Sequence, residues 1–259
     1  MYPAFRFRIT MVRKTYDQHI LISRVKTRCD VVPLVPVVMA LRKANPQLRI
    51  TVMTKADFVP YFRDIPSLNF LHCDFDWRHK GVAGMARLYR DVKACGITHF
   101  ADLQDNRCTR ILRRLLSLSG RRVSAIENVD YQIKAQTRKF RKEMNQAKPL
   151  TERYTDAIRA LGFKFEDAKP PVYDPRPLPE KILKAVGEKS GKWVGFTPFS
   201  KFKVNIYPPH LSDKLVRLLS ERDEKVFIFG AGPYEKEFAD YMAKKYKDVV
   251  SVIDRLKLS

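Results

Sequence analysis

With 259 residues, 45% of them hydrophobic, the chain can bury one large or two ordinary cores, which excludes disordered and fibrous classes. Fifty Lys and Arg against 28 Asp and Glu give a formal charge of +22, a balance that favours polyanionic partners: nucleic acid, an anionic membrane surface or a phosphorylated substrate. Cys29, Cys73, Cys95 and Cys108 form no C-x-x-C pair and no histidines cluster. Neither a metal site nor a disulfide framework is therefore expected, and buried thiols in a reducing compartment are.

Residues 1–18 form a basic extension without the continuous apolar segment of a secretory signal. The longest uncharged apolar run, Val31 to Leu41, contains Pro33 and Pro36 and is too short to span a bilayer. The stretch His19 to Ile50 sets the pattern for the rest of the chain. It reads as a strand (Ile20 to Val25), a basic loop (Lys26 to Cys29), one carboxylate (Asp30), an apolar helix closing with Arg42, Lys43 and Asn45, and a second strand from Arg49 to Thr54. That is a first βαβ step, and such folds bind ligands beyond the carboxyl ends of their strands. Asp30 sits there. It either caps the helix, accepting backbone N–H groups, or lies free in the loop if the helix begins near Pro36, where proline is favoured.

Lys55 to Ser67 reads as a loop or short helix, Leu68 to Asp74 as a strand, Gly81 to Gly96 as a helix stopped by glycine, Thr98 to Leu103 as a strand, Thr109 to Leu118 as a helix and Arg122 to Ile126 as a fifth strand. This alternation predicts a parallel sheet covered on both faces. Asn106 to Lys148 carries the densest positive charge, including Arg107, Arg110, Arg138, Lys139 and Arg141. It is either a solvated surface or a cradle for phosphate oxygens, which Arg forks bind in pairs. Tyr131 and Phe140 alone are few stacking platforms for RNA.

Thr151 to Leu161 reads as a capped amphipathic helix ending at Gly162. The proline-rich stretch 167–180 reads as a connector, separating domains at 19–166 and 181–259. The second domain repeats the grammar: strand Trp193 to Pro198, helix Pro208 to Leu219, strand Lys225 to Gly230, helix Glu235 to Tyr246 and strand Val249 to Ile253. Three strands make it look incomplete. Its first strand-end loop offers Ser200, Lys201 and Lys203 to a phosphate, or is simply an exposed basic loop. Gly230 and Gly232 give a G-x-G after a strand, with Glu235 where the dinucleotide fingerprint has its third glycine. Glu235 is favoured there by the helix dipole in any case.

The run from strand through Asp30, Val31-Val32, Pro36 and Ala40-Leu41-Arg42 resembles the opening of glycosyltransferase family 9, the lipopolysaccharide heptosyltransferases. The Ile206-Tyr207-Pro208 and Glu235-Lys236-Glu237-Phe238-Ala239 stretches are similar to later family motifs. The resemblance implies two Rossmann-like doubly wound domains in the GT-B arrangement. It also implies inverting, metal-independent transfer of a heptose from an ADP-sugar to the phosphorylated lipopolysaccharide core, without a cofactor. In that scheme Asp30 is the general base, Ser200, Lys201, Lys203, Asn205 and Glu235 bind the nucleotide-sugar donor in the second domain, and the basic segment of the first binds the acceptor. Such enzymes are cytoplasmic and contact the anionic surface of the inner membrane, with no specific nucleic acid. Cys29 replaces the family glycine before the aspartate, Leu34 the usual threonine and Asn205 the donor-site lysine. A family Asp-Ser/Thr-Gly/Ala-x-x-His motif would follow beyond Lys257-Leu258-Ser259. The competing expectations are an inactive, truncated remnant that binds anionic ligands and a basic nucleic-acid-binding protein.

Overall fold

The structure is a computed structural model that describes residues 18–128, 148–170, 177–187, 191–200 and 202–255. The chain divides into two compact units, Met1–Val172 and Tyr173–Ser259.

Among the described residues the first unit holds five parallel strands, β1 (His19–Ser23), β2 (Arg49–Thr54), β3 (Leu68–His72), β4 (His99–Asp102) and β5 (Arg122–Ala125), in the order β3-β2-β1-β4-β5. Successive strand residues point to opposite faces, and the packing obeys that alternation. Ile20 and Ile22 of β1 join the core on one face and Leu21 joins the core on the other. The first face is covered by α2 (Leu34–Ala44), through Leu34, Val37, Val38 and Leu41, and by α5 (Leu150–Arg159), through Tyr154, Ala157 and Ile158. The second is covered by α3 (Gly81–Ala94), through Met85, Leu88 and Val92, and by α4 (Arg107–Leu118), through Leu112 and Leu116. Each fully buried aliphatic side chain contributes about 1.5–3 kcal/mol, so both faces are needed to hold the sheet.

Chain order reverses at β1. The path runs outward through β2 to the edge at β3, then returns by α3 on the opposite face to β4 on the other side of β1. The loops after β1 and β4 therefore part from each other at the carboxyl end of the sheet, leaving the crevice where doubly wound folds take ligands.

The entry to α2 differs from both readings of the sequence. A short helical turn, α1 (Arg28–Val31), has Thr27 as its N-cap, and α2 then starts at Leu34 after Pro33. Asp30 is the third residue of that turn, neither an N-cap nor part of an irregular loop. Pro36 is no obstacle, because the third position of α2 has no intrahelical N–H bond to lose. The stretch Ala56–Phe62 winds as a 3-10 helix. α5 has no side-chain cap, because its N-cap residue is Pro149, which carries no side-chain acceptor, and Thr151 lies inside the first turn.

The second unit has three parallel strands among the described residues, β6 (Trp193–Phe196), β7 (Lys225–Ile228) and β8 (Val249–Ser251), in chain order. Val226 and Ile228 face α7 (Pro209–Ser220) and α8 (Pro233–Lys245). Phe227 faces Val186 of α6 (Glu180–Val186), a helix that the proline-rich reading of 167–180 did not anticipate.

Candidate active site

The site is built from the loops that leave β1 and β4. Arg24 comes directly after β1, and its backbone N–H is held by the Met53 carbonyl (3.0 Å). Its side chain is 10% exposed, and a buried guanidinium must be paired. One arm meets Asp30 Oδ1 at 2.7 Å, another donates to the Leu103 carbonyl beyond β4, and the plane lies over the Tyr154 ring at 5.6 Å. Thr27 Oγ1 donates to Asp30 Oδ2 (2.7 Å). The Tyr154 hydroxyl donates to the Asp30 backbone carbonyl (2.9 Å). The carboxylate is thus held at both oxygens and its backbone is anchored by Tyr154, yet the side chain remains 22% exposed.

Burial alone would raise the Asp30 carboxyl. The Thr27 hydroxyl and the Arg24 guanidinium more than reverse this and leave it below the ordinary carboxylate value. Asp30 is ionised at neutral pH, with oxygen lone pairs open to a hydroxyl arriving from solvent.

The second loop is braced by a buried carboxylate. Asp102 Oδ1 accepts from Ser23 Oγ (3.2 Å) and from the backbone N–H of Gln104 (3.2 Å) and Asp105 (2.9 Å). Arg113 bridges Asp102 and Asp105 at 3.0 Å each. Burial pushes the Asp102 carboxyl up, against the pull of the Asp105 amide, Thr109 and Arg113. The Gln104 side-chain carbonyl then accepts from the N–H groups of Val25 (3.0 Å) and Lys26 (3.2 Å). One amide so ties the loop after β4 to the loop that carries Asp30.

The expected acceptor residues divide. Arg110 stands at the start of α4 beside this loop but is already forked onto Asp105, at 3.1 and 2.7 Å. Arg107 is exposed in the first turn of α4. Arg138, Lys139 and Arg141 lie outside the described residues.

In the second unit the expected donor residues gather at the carboxyl ends of β6 and β7. Ser200 Oγ accepts from the Phe202 amide (3.3 Å), and Lys203 and Asn205 form an exposed 3-10 turn. Lys201 lies outside the described residues. Glu235 sits in the first turn of α8, where its carboxylate accepts the Ala231 N–H (2.6 Å). A Cβ on Gly230 would stand 2.6 Å from Glu235 Oε2 and 2.9 Å from both Phe199 and Ile253. The glycine there lets the carboxylate fold over the turn.

Sequence reasoning missed Arg24, Tyr154, Gln104 and the Asp102–Arg113 brace. Arg24 alone left a signal: a single charge inside an otherwise apolar strand-end run needs a partner. Tyr154 is 124 residues from Asp30, and nothing in local pattern connects the two.

Sequence comparison matches no protein-family model and no curated protein. Solved structures do share the fold. A glycosyltransferase family 9 protein from Veillonella parvula superposes with a TM-score of 0.69 at 16% identity, over 93% of this chain and 71% of that one. The E. coli heptosyltransferase WaaC with ADP gives 0.59 at 14% identity, over 90% and 74%. E. coli ADP-heptose lps heptosyltransferase II gives 0.60 at 15% identity, over 93% and 74%. The chain carries the α/β fold of family 9 glycosyltransferases, a GT-B type built from two Rossmann-like units.

Proposed function

We propose that this protein is a glycosyltransferase that moves a heptose from ADP-heptose to a hydroxyl of the phosphorylated lipopolysaccharide core. The observation that carries the proposal is Asp30: an ionised, partly exposed carboxylate held rigid at the switch point of a fold shared with heptosyltransferases. In the proposed step the acceptor hydroxyl donates its proton to Asp30 while its oxygen bonds to the anomeric carbon from the face opposite the leaving group. The sugar–phosphate C–O bond breaks, and its electron pair leaves with the nucleoside diphosphate. General-base assistance of this kind gives about 10²–10⁴-fold.

The second unit would hold the donor. Ser200, Lys203, Asn205 and the first turn of α7 meet the diphosphate with hydrogen bonds and positive charge as the leaving group develops, and Glu235 would meet donor hydroxyls from its turn. The metal-independent form of the reaction comes from the sequence resemblance. For the membrane side of the acceptor we assign α4. Its exposed residues combine Ile111, Leu115 and Leu118 with Arg107 and Arg114, the composition of a helix that lies against anionic headgroups. The proposed location is the cytoplasmic face of a membrane, as a peripheral protein. No helix among the described residues is long and apolar enough to cross one.

The test incubates the protein with ADP-heptose and heptose-free lipopolysaccharide. Release of ADP with gain of one heptose on the acceptor is expected. A folded protein that releases no ADP overturns the reading.

A further inference from the structure

Trp77 is 84% exposed, although tryptophan normally buries most of its large apolar surface. It is also rigidly mounted. Asp74 Oδ1 accepts from the N–H groups of Asp76 (2.9 Å) and Trp77 (3.1 Å). The Asp74 carbonyl accepts the His79 N–H (2.7 Å), and the Asp74 N–H donates to His79 Nδ1 (3.1 Å). His79 is wholly buried, with its other ring nitrogen 3.4 Å from Asp91. The loop is thus a closed, braced turn that holds an aromatic ring out into solvent.

This loop leaves the carboxyl end of β3, on the same rim of the sheet as Asp30. β3 and β1 are two strand spacings apart, about 10 Å, with Lys55 at the end of β2 between them and in ion-pair range of Asp76 (3.7 Å). We infer that Trp77 is an acceptor-binding platform, on which the apolar C–H face of a sugar ring stacks beyond the residue that carries the reacting hydroxyl. The inference rests on the glycosyl-transfer reading and adds a subsite to it. Exposed groups of both signs flank the ring, Asp76 paired with Lys55 (3.7 Å) and Arg78 63% exposed, and together they accept from and donate to the hydroxyls of a glycan. An aromatic ring carried on a braced turn binds a polyhydroxylated ring with little ordering of the backbone.

The chain has two tryptophans, and the other, Trp193, packs on Phe227 with ring centroids 4.8 Å apart, so fluorescence separates them. In a Trp193→Phe variant, titration with O-deacylated, heptose-free lipopolysaccharide oligosaccharide is expected to shift emission to the blue and at least halve acrylamide quenching. The same titration of Trp77→Phe is expected to leave the remaining Trp193 signal unchanged. Trp77→Ala is expected to raise the acceptor KM about tenfold, with kcat, donor KM and melting temperature unchanged, and Trp77→Phe to restore most of the loss. Shielding without any sugar transfer would sink the proposed reaction and leave the platform standing. No shielding by the oligosaccharide, or shielding by anionic vesicles only, overturns the platform.

Discussion

Arg24 and Asp30 depend on each other. The guanidinium is tolerated in the interior because the Asp30 carboxylate, the Leu103 carbonyl and the Tyr154 ring surround it, and the carboxylate stays ionised because the guanidinium and Thr27 hold it so. Arg24→Met is expected to raise the Asp30 pKa and move the acid limb of the pH–rate profile upward, with a stability loss of about 2 kcal/mol from hydrogen bonds to a charged group. An unmoved acid limb would show that Asp30 is not the titrating base. A second titration belongs to stability alone. His19 is buried at the opposite end of the sheet, bonded to Thr51 Oγ1 (2.7 Å), and burial, with the Arg49 charge, lowers its pKa from 6.5 to about 4. Below pH 6.5 the unfolded chain takes up the proton that the folded chain refuses. Stability is therefore complete above about 6.5 and declines until about pH 4, by about 3 kcal/mol. Urea denaturation of wild type and His19→Gln across that range tests this, since the variant is expected to lack that part of the slope.

At the level of elements, α3 lies so close to the loop before it that a Cβ on Gly84 would stand 2.2 Å from the His79 carbonyl carbon. Backbone cannot move aside as a flexible side chain can, so Gly84→Ala is expected to cost about 1–3 kcal/mol by overpacking and to loosen the Trp77 loop. Thermal melts with acrylamide quenching would register both effects, and a neutral substitution would contradict the packing. Elements were the most legible feature of the sequence. Every described strand lies near its expected place; β1 and β2, buried on both faces, show this most plainly as near-continuous apolar runs. Boundaries were less legible. The start of α4 at Arg107 depends on Asn106, whose side chain accepts the Thr109 N–H (2.8 Å) while Thr109 Oγ1 accepts the Asn106 N–H (3.0 Å). α6 was hidden because Pro179 looks like a continuation of the connector and is in fact its N-cap. The site was half legible. Asp30 was visible through its position after β1, and Arg24 and Thr27 lie in the same loop, but Tyr154 comes from α5 while Leu103 and Gln104 come from the loop after β4, and only folding brings these to one crevice. The charge run from Asn106 was misleading in part, since Arg110 and Arg113 there neutralise the Asp102 and Asp105 carboxylates.

For the whole molecule, the formal charge of +22 and the arginine-flanked apolar residues of α4 point to anionic surfaces. The protein is expected to sediment with vesicles containing anionic lipid and not with zwitterionic ones, and to be released by high salt because exposed charges are screened. Replacing Ile111, Leu115 and Leu118 together by Ser is expected to reduce that binding without lowering the melting temperature; unchanged binding would remove α4 as the membrane face. In the proposed reaction, acceptor and general base are assigned to the first unit and the donor to the second. The most direct measurement of this account is the rate of heptose transfer from ADP-heptose to heptose-free lipopolysaccharide by wild type and by Asp30→Asn at matched folding. The predicted result is measurable transfer by wild type and a loss of about 100-fold or more in the variant. A variant that turns over within a few-fold of wild type would contradict the role assigned to Asp30 and, with it, the proposed reaction at this site.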